Sequence, residues 1–131
     1  MGVNFTSLFA YYLASPINWL IALLPQKYMI EIMNMLIVMK LCASSVTFSY
    51  YISKHFHTKK CTIALFGMFY ALSAYSAAYS WNIMWLDCLI LVPLIMLGLE
   101  RLVNEDKCFL YCISLGLCIF TNYYIAIMVC L

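Results

Sequence analysis

Long apolar stretches separated by short polar ones constrain this chain more than any other feature. Of its residues, 67% are hydrophobic and 9% are charged, whereas a soluble domain carries about 25% charged residues. A soluble fold of this length could not cover its surface with so few charges. The apolar residues run together instead of alternating with polar ones, which favours membrane helices over a membrane barrel. The sequence therefore predicts an all-α, polytopic membrane protein.

The lengths of the apolar stretches predict four transmembrane helices, because each is close to the roughly 20 residues that cross a hydrocarbon core. An earlier stretch, residues 5–24, contains Ser15-Pro16. Proline removes a backbone donor and disfavours helix at the residue before it. We therefore expect an interfacial or re-entrant helix pair there, with one kinked transmembrane helix as the alternative. Residues 1–131 form a single membrane domain or part of one. The predicted transmembrane helices cover residues 29–52, 61–80, 83–99 and 108–131.

The basic residues predict how these helices are oriented. The loops 53–60 and 100–107 together hold five lysines and arginines, whereas the opposite side holds Lys27 alone. The positive-inside rule then places both charged loops in the cytoplasm, and the turn at residues 81–82 faces outside. The net charge of +2, without a basic stripe, indicates no nucleic-acid partner.

The cysteines and histidines do not indicate a metal site. The seven cysteines lie within or at the edges of apolar stretches, and no two have the C-x-x-C spacing. This pattern is typical of free cysteines that act as small hydrophobic residues. His55 and His57 lie in a basic loop with no cysteine or acid beside them, so we predict no metal ligands there.

Two charged residues lie inside the apolar stretches. A carboxylate such as Asp87 within a membrane helix costs about 2.5–3.5 kcal/mol on insertion scales, so it needs a partner or a task. Lys40 lies roughly 16 Å from the outer end of its helix, and its stem can reach toward Asp87. Two interpretations remain open. The residues form a buried ion pair that fixes helix register, or they line an outward-opening pocket where Lys40 meets a lipid phosphate and Asp87 orients a substrate.

Other polar and aromatic residues have two interpretations each. Asn122 either hydrogen-bonds a neighbouring helix or contacts a substrate. Trp81 and Trp85 either anchor the chain at the membrane interface or form platforms for a ligand, and Tyr12 suits the headgroup zone. Small residues also recur at helical spacing, which predicts a face that another helix approaches closely. They are Gly67, Ala71, Ala74 and Ala78.

Several motifs together resemble the YfhO family of bacterial multispanning membrane proteins. Trp85-Leu86-Asp87, the later Pro93-Leu94 and the segment Gly98-Leu99-Glu100-Arg101-Leu102 carry the resemblance. Further similar stretches follow the family's order along the chain. They are Gly2 with Asn4, Tyr11-Tyr12-Leu13-Ala14-Ser15-Pro16 with Asn18, Lys40, and Asn122-Tyr123-Tyr124.

The resemblance implies a glycosyltransferase of the GT-C class in the bacterial plasma membrane. Such proteins move a sugar from a polyprenyl-phosphate carrier to an acceptor on the outer face, with a divalent metal possible as cofactor. The implied acceptor is a cell-envelope polymer such as teichoic or lipoteichoic acid. The resemblance makes five residues candidates for a substrate pocket. They are Asp87, Lys40, Asn122, Tyr12 and Trp81.

The catalytic residue stays unassigned, because the class carries a catalytic Asp in the first outer loop, before the part that resembles this chain. We therefore expect an internal piece or a truncated reading frame that is inactive alone, with the missing helix and loop encoded in the flanking DNA. Two alternatives remain. A transporter or flippase-like module is indicated by the break near Pro16 and by intramembrane Lys40. A small membrane interaction protein would bind partners through the small-residue face.

Overall fold

The computed structural model describes residues 28–57 and 61–131; the predicted helix pair at residues 5–24, with Tyr12, lies outside them. The described residues form helices and short connections without a strand, which confirms the all-α prediction for this part of the chain. The helices are α1 Met29–His55, α2 Thr62–Ala71, α3 Ala74–Tyr79, α4 Ile83–Glu105, α5 Phe109–Thr121 and α6 Tyr123–Cys130.

Two helical segments of the described chain are long and apolar enough to cross a membrane. They are Ile30–His55, which is nearly all of α1, and Thr62–Tyr79, which is α2 continued by α3. Phe109–Thr121 is apolar but shorter. Four membrane crossings therefore remain a prediction.

Helix α4 lies at the centre of the fold and packs against α1, α5 and α6, while α2 packs against α1. Helices α1 and α4 run in the same direction, because Lys40 contacts Asp87 near the start of α4 and Tyr51 contacts Glu100 near its end. The buried core is Cys88, Ile95, Cys118 and Ala126, which joins α4 to α5 and α6. Cys88 and Cys118 thus pack as small hydrophobic residues, as predicted.

The predicted helix 61–80 is divided at Leu72 and Ser73. Ser73 has an extended backbone, with φ −62° and ψ 160°, and its Oγ lies 3.4 Å from Ser76 Oγ. This contact joins two side chains, and Ser73 precedes α3 without a side-chain hydrogen bond to the backbone of the helix. The small-residue face is consequently shorter than predicted: Gly67 and Ala71 are buried, whereas Ala74 and Ala78, beyond the break, are exposed.

Gly67 marks the closest approach of α2 to α1. A Cβ placed there would lie 2.7 Å from the backbone oxygen of Ser45, closer than real contacts allow. Gly98 allows a similarly close approach of α4 to α5, since a Cβ added there would lie 2.7 Å from the backbone nitrogen of Tyr111. Small residues thus let helices approach to backbone contact, as expected in membranes.

The predicted helix 108–131 is also divided, at Asn122. This residue is extended, with φ −159° and ψ 102°, and its Oδ1 accepts hydrogen bonds from the backbone N–H of Tyr124 at 3.0 Å and Ile125 at 3.2 Å. Asparagine is a preferred N-cap because its side chain replaces the missing helical acceptors. The expected bond to a neighbouring helix is therefore a cap within the same stretch.

Pro93 lies inside α4 and supplies no N–H for the carbonyl of Leu89, four residues earlier. The hydroxyl of Tyr70 on α2 donates to that carbonyl at 2.9 Å. The Tyr70 ring is itself stacked on Phe48 of α1, with centroids 4.4 Å apart. An unpaired carbonyl in hydrocarbon costs roughly 2–7 kcal/mol, depending on the reference state. The hydrogen bond from Tyr70 removes this cost, and α4 therefore tolerates a proline in its interior.

Two helices extend beyond their predicted ends into the charged loops. Helix α1 continues past residue 52 to His55. Helix α4 continues past residue 99 to Glu105 and ends at Asp106, which adopts a left-handed conformation with φ 55°. Aspartate tolerates that region better than most residues. Charged side chains thus occupy the last turns of both helices at the same end of the fold.

Candidate functional site

Lys40 and Asp87 form an ion pair inside the described part of the fold. Lys40 Nζ lies 2.8 Å from Asp87 Oδ1, and the side chains are 2% and 4% exposed. Lys40 Nζ also donates to the backbone oxygen of Ile83 at 3.0 Å. The sequence predicted that these two side chains approach each other, and the structure brings them together. Burial makes the pair mutually dependent, because either charge alone would be desolvated without compensation.

The ion pair and the charged loops lie at different levels of the fold. Asp87 is about 6 Å along the axis from the first residue of α4, and about 20 Å from Glu100. Glu100 Oε1 accepts a hydrogen bond from Tyr51 Oη at 2.9 Å and lies 2.7 Å from His55 Nδ1. The C-terminal ends of α1 and α4 therefore meet through these side chains, away from Asp87.

The charged end carries a cavity of about 500 Å³. At its edge, Lys107 Nζ donates to Glu105 Oε2 at 2.9 Å. This ammonium lowers the pKa of the exposed Glu105 carboxyl, since it favours the ionised form. The residues that line the cavity mix both signs: Lys54, His55, His57, Leu97, Glu100, Arg101, Asn104 and Glu105.

A second cavity, of about 440 Å³, lies between α3, α4 and α6; we call it the aromatic cavity. Its volume is in the range of small-molecule sites. None of the residues that line it is charged. They are Tyr75, Tyr79, Trp85, Cys88, Leu89, Val92, Tyr124, Ile125 and Met128.

Four aromatic rings form a continuous wall of this cavity. The centroids of Tyr75 and Tyr79 are 5.1 Å apart, and those of Tyr79 and Trp85 are 5.2 Å apart. Trp85 is stacked against Tyr124 at 6.4 Å and 22°. Because the rings come from three helices, sequence analysis did not find the wall. The i, i+4 spacing of Tyr75 and Tyr79 was its local signal.

Two buried donors beside the aromatic cavity have no acceptor among the described residues. One is Trp85 Nε1, and the other is Asn122 Nδ2. Asn122 is 0% exposed; its Oδ1 holds the backbone of two cavity-lining residues, Tyr124 and Ile125. Leaving a buried donor unsatisfied costs about 1–3 kcal/mol, so an acceptor for either N–H group would stabilise the folded protein.

Trp81, a predicted pocket residue, is not part of this wall. It is 71% exposed, and its Nε1 donates to the backbone oxygen of Ala78 at 3.1 Å. This placement suits an interface anchor. The structure brings Asp87 to Lys40 and places Asn122 beside the aromatic cavity, whereas Tyr12 lies outside the described residues.

Metal-ligating side chains are dispersed in the described part of the chain. No group of three His, Cys, Asp or Glu side chains there is arranged to hold a metal ion. All seven cysteines are free, and five of them are exposed on helix or loop surfaces.

Comparisons with known proteins identify the family. No curated protein and no solved structure matches the chain. The model of the family described as bacterial membrane protein YfhO matches residues 1–131. This match agrees with the long apolar helices, and the chain belongs to the YfhO family of bacterial membrane proteins.

Proposed function

We propose that this protein is part of a membrane glycosyltransferase that moves a sugar from a polyprenyl-phosphate carrier to a cell-envelope polymer such as teichoic acid. The observation that carries the proposal is the buried Lys40–Asp87 pair, joined at 2.8 Å within apolar helices of a YfhO-family chain. Ionisable residues inside a membrane are expensive and mark functional sites by default.

In this proposal Lys40 supplies the charge that receives the carrier phosphate. Its ammonium is a compact point charge on a flexible stem, so it exchanges the carboxylate of Asp87 for the phosphate as the carrier binds. Asp87, released from the pair, orients the incoming group. The catalytic residue is not assigned to a described side chain.

The proposed topology has four membrane crossings, with loops 53–60 and 100–107 in the cytoplasm. The Tyr51–Glu100 and His55–Glu100 contacts support this arrangement, because they join the ends of α1 and α4 from which the two loops continue. Impermeant maleimide applied to intact cells tests the sidedness in a chain whose cysteines are replaced. Trp81→Cys should be labelled and Asn104→Cys should not, and the reverse pattern would invert the topology.

Transfer itself is tested with the full product of the reading frame that contains this chain, reconstituted in liposomes. The donor is polyprenyl phosphate bearing a radiolabelled hexose, and the acceptor is lipoteichoic acid. The decisive variant replaces both members of the pair, Lys40→Leu with Asp87→Leu, because an apolar pair keeps the fold. A folded double variant without transfer supports the proposal, whereas full transfer leaves the pair a structural role.

The matched control is Lys107→Leu, which removes an exposed lysine from a pair of similar length, 2.9 Å. Transfer should be unchanged in this variant. If the wild-type protein carries the labelled lipid across the bilayer without forming a labelled polymer, the transporter alternative replaces the proposal.

A further inference from the structure

The cavity between the charged ends of α1 and α4, which we call the end cavity, is lined by two acids and by several basic residues. Both acids already have partners. Glu100 Oε1 accepts a hydrogen bond from Tyr51 Oη and lies 2.7 Å from His55 Nδ1, and Glu105 Oε2 lies 2.9 Å from Lys107 Nζ. The carboxylates of the cavity are therefore satisfied by the residues around them.

Two cations that line the end cavity have no such partner. Within residues 28–57 and 61–131, neither Arg101 nor Lys54 forms an ion pair. Lys54 Nζ lies 5.7 Å from the ring centroid of Tyr50, a contact worth only about 0.5–1 kcal/mol at an exposed site. Residues 1–27 and 58–60 contain no Asp or Glu, so the rest of the chain supplies no side-chain carboxylate to either cation.

The helix ends account for Lys54 but not for Arg101. A cation in the last turn of a helix is stabilised by the negative end of the helix dipole, and Lys54 lies in the last turn of α1. The last turn of α4 contains no basic residue, so Arg101 lies before it, where the dipole effect has fallen off. The Arg101 guanidinium therefore remains available to an anion that is not part of the chain.

The end cavity lies where the membrane helices leave the hydrocarbon. Leu97, Arg101 and Asn104 line it at spacings of four and three residues and thus share one face of α4. Leu97 is 3% exposed and lies about 6 Å along the axis from Arg101. The apolar segment of α1 ends at His55, beside the cavity. An anion bound by Arg101 would consequently lie at the level of the lipid headgroups, with apolar wall below it.

We propose that the end cavity binds the phosphate group of an anionic phospholipid, with Arg101 as the principal donor and Lys54 beside it. A guanidinium binds phosphate through two parallel hydrogen bonds, and basic pockets between membrane helices bind anionic headgroups. The cavity of about 500 Å³ has room for the phosphate and the glycerol of such a lipid. It lies about 20 Å along α4 from Asp87, so this proposal does not depend on the transfer proposed above.

Apolar surface beside the cations favours a lipid over a free phosphate ion. Phe56 and Val103 are 64% and 75% exposed, and each is next in the sequence to a residue that lines the end cavity. A free anion would gain nothing from these side chains or from Leu97. The acyl chains of a phospholipid would cover them while its phosphate meets Arg101.

The test measures lipid binding in detergent micelles. The full product of the reading frame that contains this chain is purified in dodecyl maltoside, and binding of phosphatidylglycerol with a fluorescent acyl chain is followed by fluorescence polarisation. Unlabelled phosphatidylglycerol, phosphatidylcholine and inorganic phosphate are the competitors. Phosphatidylcholine balances its phosphate with an ammonium, and inorganic phosphate carries no acyl chain. We expect phosphatidylglycerol to compete about tenfold better than phosphatidylcholine and millimolar inorganic phosphate not to compete.

Variants at the two cations locate the binding. Arg101→Gln should bind phosphatidylglycerol about tenfold more weakly, corresponding to the loss of a charge-assisted hydrogen bond. Arg101→Lys, which keeps the charge but not the paired donors, should recover part of this loss, and Lys54→Gln should have a smaller effect. The matched control is Lys27→Gln, which removes the same charge before α1 begins rather than at its end. Its binding should equal that of the wild type.

Each contrary outcome overturns the proposal for a different reason. Equal competition by phosphatidylcholine would make the end cavity a groove for any lipid. Competition by inorganic phosphate that is lost in Arg101→Gln would make it a site for a free anion. Equal weakening in Arg101→Gln and Lys27→Gln would reduce the effect to the net charge of the protein, and unchanged binding in Arg101→Gln would place the lipid elsewhere.

Discussion

The two sides of α4 differ in whether their buried polar groups have partners. Toward α1, Asp87 meets Lys40, and that ammonium also donates to a backbone oxygen. Toward α3 and α6, Trp85 presents an indole N–H that has no acceptor among the described residues. Trp85 and Asp87 are two residues apart, so their side chains point about 160° apart around the helix axis. Polar groups in hydrocarbon must be paired, so the first side satisfies its buried charges within the chain, whereas the second leaves a buried donor that the described residues do not satisfy.

The largest expected effect on stability comes from disrupting the ion pair on the α1-facing side of α4. Lys40→Leu or Asp87→Leu alone should lower the free energy of unfolding by about 3–5 kcal/mol, because each leaves a buried charge unpaired. The double variant should return close to the wild type. Unfolding by titration with sodium dodecyl sulfate from bicelles measures both.

The control for this prediction is Lys107→Leu, in which an exposed pair is lost. Its effect should be within about 1 kcal/mol. Single variants at Lys40 and Asp87 that unfold like the wild type would mean that the pair does not form in the membrane.

The next effect concerns the packing that holds α4 in place for both sides. Gly98→Ala puts a methyl group against the backbone of Tyr111 and should cost about 1–3 kcal/mol through overpacking. Gly116→Ala is the matched control, because nothing lies within 4 Å of its added Cβ. It should gain up to about 1 kcal/mol in helix propensity. Equal effects in thermal unfolding would argue against close packing of α4 and α5.

A smaller effect on stability is expected on the cavity side of α4, where the backbone oxygen of Leu89 already accepts a hydrogen bond. Tyr70→Phe removes the donor to Leu89, a residue that lines the cavity. The expected loss is about 0.6 kcal/mol, with a maximum near 1.7, as for other hydrogen bonds between membrane helices.

Pro93→Ala provides the internal control for this bond, since it restores a backbone N–H that pairs with Leu89. In that background, Tyr70→Phe should have almost no effect on unfolding. An undiminished loss would show that Tyr70 acts through packing on Phe48 rather than through the carbonyl.

The smallest effect is expected for the unpaired donor itself. Trp85→Phe should change the free energy of unfolding by about zero, because relief of an unsatisfied donor, about 1–3 kcal/mol, offsets the lost packing. A loss of about 2 kcal/mol or more in the same titration would mean that the indole N–H has a partner in residues outside the described range.

Sequence reasoning predicted the helical class and the approach of Lys40 to Asp87. Both follow from local chemistry, since apolar residues in long runs require helices in a bilayer and charges within them require partners. The approach of α1 to Gly67 was also readable from residue size. By contrast, the breaks at Ser73 and Asn122 were missed. The Asn122 side chain accepts backbone hydrogen bonds in place of the helical carbonyls, whereas Ser73 makes no such bond, and composition reveals neither break.

The sequence by itself determined that the chain is helical, belongs in a membrane and must bury an acid with a base. Only the tertiary structure decided which donors lack acceptors, because Trp85 and Asn122 have ordinary sequence neighbours and are isolated by packing from α3, α4 and α6. It also decided that Tyr70 replaces the N–H that Pro93 lacks. Hydrogen-bond satisfaction depends on groups distant in sequence, and no local pattern reports which of them meet.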